Sequence, residues 1–258
     1  LGSNIARMYS EGLYQQYKYL ATWLPNTNVK LGDIGLLKGA LWARSGEIPP
    51  SASKLTVRQG ARIPSLEWQN TNKFVMETKA AGELAPGFTA LAMMDGGIAY
   101  RFDKAGAIIF RAEDIVAEEV ADTARIRRWM LNEHRAGRLD PGSVAVTRVL
   151  RAKSFIVLIT NSDGARVEMR TAATVGPASN TAAAVRGRLE IARATGMFVH
   201  LVVENGVPLF GGLRLRKSLL RKPRVDDVLL DADVDDATAQ VATEGLHDDD
   251  PFELIGLA

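Results

Sequence analysis

The run Val144-Ala-Val-Thr-Arg-Val-Leu-Arg-Ala-Lys-Ser-Phe-Ile-Val-Leu-Ile-Thr160 decides the fold class, together with Asn161-Ser-Asp-Gly164 and Ala165-Arg-Val-Glu-Met-Arg-Thr171 behind it. β-Branched and aliphatic residues dominate the first segment, and such residues suit a pleated, buried surface. Asn-Ser-Asp-Gly is turn chemistry. After the turn, Val167 and Met169 alternate with Arg166, Glu168 and Arg170. That period of two gives one apolar face and one wet face. The pattern predicts two long strands joined as a hairpin.

The same grammar recurs on both sides. Strands at 98–102 and 107–111 flank Asp103-Lys-Ala-Gly106, and strands at 198–204 and 207–210 flank Asn205-Gly206. Asn-Gly is the strongest short hairpin signal in the chain. Upstream, 29–48 reads as a β-rich unit turning at Gly32–Gly35, 49–64 as a loop, and 72–79 as a strand. Three segments read as helices. In 4–24, Ile5, Met8, Leu13, Tyr17 and Leu20 roughly follow helical spacing until Pro25, and the expected role is core packing. In 113–135, Val116, Val120 and Ala124 step by four, with Glu118, Glu119, Arg125, Arg127 and Arg128 on the solvated side. Residues 180–193 are Ala-rich. Hairpins with interspersed helices predict an α+β fold: a mainly antiparallel twisted sheet, an N-terminal helix and one or two packed helices.

With 258 residues, 47% of them apolar, the chain can bury a sizeable core without a staple. It has no cysteine, which excludes disulfide scaffolds, thiolate metal sites and a cysteine nucleophile. No run reaches the roughly 18–20 apolar residues of a spanning helix. Arg7, Glu11 and Lys18 interrupt the first apolar segment, so no signal peptide is expected and the expected location is the cytoplasm.

The net charge of +2 is a cancellation. Residues 226–258 hold eleven of the 30 acidic side chains and no Lys or Arg. Residues 1–225 hold all 32 basic and the other 19 acidic ones, a net of +13. The expected division is therefore a single basic α+β domain over 1–225 and an acidic tail over 226–258. At the junction Arg214, Arg216, Lys217, Arg221, Lys222 and Arg224 precede Asp226, Asp227, Asp231, Asp233, Asp235 and Asp236. The first group is the candidate surface for membrane or another anion, and the second the candidate autoinhibitory tail.

Catalytic signatures are missing. His134, His200 and His247 have no partner at zinc-protease spacing, and no Gly-x-Ser-x-Gly elbow exists. Met94-Asp-Gly-Gly97 precedes a strand rather than a helix, which does not suit a dinucleotide. The acids of 231–236 lack the glycine and the closing glutamate of a calcium loop. No enzyme, cofactor or metal is expected, and the basic residues are not interleaved with aromatics as nucleic-acid binding would ask.

The order of strand pair (97–111), helix (113–135), long strand pair with Asn161–Gly164, and Pro208-Leu-Phe210 resembles the pore-forming domain of bacterial gasdermins over about 95–215. The resemblance implies a soluble, autoinhibited monomer. An activating protease would remove a C-terminal segment, and the basic core would then bind anionic membrane, self-associate there and form a transmembrane β-barrel. Bacterial gasdermins typically carry an N-terminal cysteine for lipidation, and this chain has none. The alternative expectation is a soluble binding or scaffold protein whose acidic tail recruits a basic partner.

Overall fold

A computed structural model describes residues 2–50, 52, 55–70, 74–78, 82–84, 98–172, 188–216 and 223–227. In chain order the elements are α1 (Gly2–Tyr17), β1 (Leu20–Ala21), β2 (Asp33–Lys38), β3 (Leu41–Glu47), β4 (Val57–Gln69), β5 (Phe74–Thr78), β6 (Gly82–Leu84) and β7 (Ile98–Phe102). They continue with β8 (Ile108–Val120), α2 (Ala124–Arg135), β9 (Ser143–Thr160), β10 (Arg166–Ala172), β11 (Arg188–Thr195), β12 (Met197–Arg216) and β13 (Arg224–Asp227). The fold is α+β, mostly antiparallel sheet with an N-terminal helix and one more helix. The described residues form two compact units, one within 1–63, 114–152 and 205–258, the other within 64–113 and 153–204.

The second unit is a two-layer stack of folded-over strands. The larger sheet contributes strands in the order β4-β8-β9-β12, and the smaller sheet runs β6-β5-β7-β10-β11. Each strand of the first layer is the chain neighbour of the strand at the same place in the run β5-β7-β10-β11 of the second. The turns at 103–106 and 161–164 are therefore arches between layers, not the hairpins expected of them: β7 pairs with β10 and β5, whereas β8 pairs with β4 and β9. The arches bond to one another. Ala105 N donates to Asp163 Oδ1 at 2.8 Å, Gly106 N to the Thr160 carbonyl at 3.0 Å, and Asn161 N to the Gly196 carbonyl at 3.1 Å. Thr160 Oγ1 accepts from Ala107 N and donates to the Lys104 carbonyl. Between the layers lie Tyr100, Phe102, Val167 and Met169 from one sheet and Ile109, Ile156 and Leu158 from the other. Burial of each such side chain contributes about 1.5–3 kcal/mol.

In the first unit both faces of the larger sheet are covered. Tyr14 of α1 packs with Trp42, Val144, Val146 and Phe210 on one face. Ile126 and Met130 of α2 pack with Ile34, Ala145, Leu213 and Leu215 in a second cluster. Helix α1 ends at Tyr17 rather than at 24, because Lys18 adopts a left-handed backbone (φ +60°) and Leu20–Ala21 pair with Phe210 and Leu209 of β12. Its inward stripe is Ala6, Tyr9, Leu13 and Tyr14, and the expected inward residue Met8 is exposed. The two stripes are helical alternatives that spacing alone cannot rank.

Three further expectations fail for definable reasons. Residues 113–120 belong to β8, not to a helix. Glu119 and Glu118 ion-pair with Arg148 (2.8 Å) and Arg151 (3.2 Å) of β9, partners about thirty residues away that no local pattern reveals. Residues 57–64 are not loop but the first part of β4, where Pro64 is tolerated because β4 is an edge strand with β8 as its neighbour. Asn205-Gly206 does not turn the chain back. Asn205 alone is left-handed (φ +52°), whereas a two-residue hairpin of this type needs both residues so, and β12 runs on for 20 residues. Of the Ala-rich segment 180–193, residues 188–193 lie in β11 and the rest lie outside the described residues. The expected strand at 72–79 is β5, and the unit at 29–48 contains β2 and β3, although Asp33–Gly35 of the expected turn lie within β2 and the chain turns at Gly39–Ala40 instead.

The arches predict a contrast between two glycines. Gly106 (φ +72°) has nothing within 4 Å of an added Cβ, whereas at Gly196 (φ +66°) a Cβ would meet Ser162 Oγ and the Ala165 Cβ at 3.1 Å. Gly106→Ala should lose only the left-handed cost of roughly 1–2 kcal/mol. Gly196→Ala should lose that plus an overpacking cost of roughly 1–3 kcal/mol. Urea unfolding of both variants checks the difference.

Candidate functional site

The site worth building is the place where the acidic segment meets the body. Strand β13 pairs antiparallel with the end of β12: Leu213 lies opposite Asp227, Arg214 opposite Asp226, Leu215 opposite Val225 and Arg216 opposite Arg224. Val225 and Leu215 are buried beside Ile126 and Met130, so an apolar side chain anchors β13 under α2. The acids Asp226 and Asp227 are thus built into the larger sheet.

Arg127 of α2 holds this strand. Its side chain is only 4% exposed, its Nη1 donates to the Val225 carbonyl at 2.8 Å, and its Nη2 lies 3.7 Å from Asp227 Oδ1. The expectation that Arg127 sits on the solvated side of its helix is therefore wrong. It immediately follows Ile126 and stands three residues before Met130, on the packed side, and a buried guanidinium is tolerable there because a carbonyl and a carboxylate receive it. The spacing to Met130 is the signal that could have placed it.

Among the described residues, the candidate anion-binding arginines do not form an open basic strip. Arg214 is buried, Arg216 and Arg224 are half-buried, and Arg224 Nε lies 2.6 Å from Asp226 Oδ2 on its own strand as an ion pair. Lys217, Arg221 and Lys222 lie outside the described residues, as do Asp231, Asp233, Asp235 and Asp236, His247 and the Met94–Gly97 glycines. His200 is exposed on β12, and His134 Nδ1 lies 2.8 Å from the Leu139 carbonyl.

Charge around Asp227 is balanced narrowly. Burial is the largest influence and raises its carboxyl above the ordinary carboxylate value. Arg127 and Arg148 pull it back in part, and Asp226 pushes it up again. Arg148 is in turn shared with Glu119 (Nε to Oε2, 3.0 Å) and Tyr19 (Nη1 to the hydroxyl, 3.5 Å). The arrangement fastens β13 to α2. It presents no nucleophile beside a base.

Among the described residues no group of three His, Cys, Asp or Glu side chains could hold a metal, and no helix is long and apolar enough to cross a membrane. Compared with known proteins, the chain matches no family model and no curated sequence.

Two predictions follow from the latch. Arg127→Met removes a charged donor from a buried carbonyl, a bond of about 1.5–3 kcal/mol. Amide exchange of β13 should then accelerate about 10–100-fold while that of β10 is unchanged. Because the folded state raises the Asp227 pKa, its contribution to stability is fully present below the ordinary carboxylate value. That contribution is lost as pH rises through the raised one. Asp227→Asn should flatten that slope in unfolding measured across the carboxylate range.

Proposed function

We propose that the protein is membrane-active, a gasdermin-like pore-forming protein held in its resting form by its C-terminal acidic segment. The observation that carries this reading is β13: the first acids of that segment close the edge of β12 and are fastened by the buried Arg127. Removing β13 would uncover a strand edge and leave Arg127, Arg214 and Arg216 without the acidic strand beside them. A bared edge and an excess of buried cations are both costly in water, and both are relieved by new strand pairing at an anionic surface.

The smaller sheet supports the same reading. Tyr100, Phe102, Val167 and Met169 face its core, whereas Arg101, Arg166, Glu168 and Arg193 face away. Strands with one apolar and one polar face are what a transmembrane barrel requires. The lipid partner is an anionic membrane, the activator a protease acting near the basic junction, and self-association accompanies insertion.

The test is a full-length chain with a protease site inserted after Lys222. Cleavage should cause dye release from vesicles containing phosphatidylserine, with little release before cleavage or from phosphatidylcholine alone. Cleaved protein that neither binds nor permeabilises anionic vesicles would refute the reading and favour a soluble binding protein whose tail recruits a basic partner.

A further inference from the structure

Helix α2 has a second basic face, pointing away from β13. Arg125, Arg128 and Arg135 are exposed, with exposed Asn132 between them. Offsets of three, seven and ten residues place them on one stripe, about 15 Å long at 1.5 Å per residue. None of the three makes an ion pair among the described residues. The nearby acids are engaged elsewhere: Glu133 with Arg138 (Oε1 to Nη2, 2.8 Å), Asp122 with the Ala124 amide (3.0 Å), and Glu119 with Arg148. Arg125 and Arg128 also lie near the N-terminal end of the helix, whose first turn contains no acid. The dipole disfavours cations there. Three unneutralised arginines on one stripe, two of them at the wrong end of the dipole, call for an anionic counterpart.

The chain supplies one at the right place. Asp227, the last residue of β13, lies beside Arg127 on this same helix. Residues 228–258 continue from that point with nine acidic side chains and no Lys or Arg. Thirty-one residues can span up to roughly 100 Å, far more than the length of α2. We propose that residues 228–258 dock across the Arg125–Arg128–Arg135 stripe of α2. The inference shares the acidic segment with the proposed function but assigns it a different face, the helix rather than the β12 strip. Each exposed pair is weak. Tethering raises the local concentration of carboxylates to the millimolar range, so many interchangeable pairings act together. Salt must weaken them, because the Debye length falls from about 10 Å at 0.1 M to about 3 Å at 1 M.

The lack of cysteine makes a site-specific test simple. In the full-length chain, Ala237→Cys carries a single nitroxide, and amide signals are compared with the reduced label. At low salt the signals of Arg125–Arg135 should lose at least half their intensity. They should recover at about 1 M salt. They should also recover in the Arg125→Glu/Arg128→Glu/Arg135→Glu variant, in which two of the new acids suit the helix dipole and so preserve α2. The corresponding Gln variant guards against a misfolded triple mutant. Sharp α2 signals at low salt, broadening that persists in both triple variants, or broadening centred on Arg214–Arg216 would each overturn the inference. A chain that docks its tail on α2 but never permeabilises vesicles after cleavage would overturn the membrane reading alone.

Discussion

An apolar strand of 18 residues can be buried only if its N–H and C=O groups are paired along both edges and its side chains are covered on both faces. β9 has three neighbours, β12, β2 and β8. Ile34, Gly35 and Leu36 pair with its first three residues, and Thr160 at its other end bonds the backbone of the 103–107 turn. From Phe155 to Thr160 every residue is buried, as is every residue of β8 from Ile108 to Ala112. This is why Phe155–Ile159 is continuously apolar where a one-sided sheet would alternate. The remaining strands of the larger sheet attach to β9 or to a strand that β9 holds.

Glycines let neighbouring strands of the larger sheet approach. At Gly35 a Cβ would collide with the Ala43 carbonyl and the Trp42 indole, and at Gly212 with the Ala145 carbonyl. The Trp42 ring lies 5.1 Å from that of Phe210, tilted by 60°, a geometry that adds about 0.5–1.5 kcal/mol to the burial of both rings. The charged groups obey the complementary rule. The buried guanidiniums of Arg127 and Arg111 have carboxylate neighbours, Asp227 for the first and Glu113 and Glu67 for the second. Cutting one member from such a set leaves the other charged and dry, so the edge strand β13 and the helix α2 depend on each other.

Much of the strand content was legible locally. β7 and β10 follow from turn residues, β10 also from period-two alternation, and the helix around Met130 from its spacing, whereas Asp33–Gly35, which read as a turn, begin β2. What misled was chemistry that serves two structures equally. A four-residue turn with a left-handed glycine closes a hairpin or bends an arch, and alternate side chains reach the same core either way. Glu118 and Glu119 suit a solvated helix face as well as cross-strand pairing with Arg151 and Arg148.

By itself the sequence determined the α+β class, the long apolar strand at 143–160 and the division of charge at Arg224, because each depends on composition or on neighbours a few residues apart. Tertiary structure alone decided which layer each strand joins and which carboxylate the buried arginine meets. Whether Arg127 faces water or a carboxylate depends on Asp227, one hundred residues later, being brought beside it by the β12–β13 ladder. No spacing along the chain encodes that distance in space.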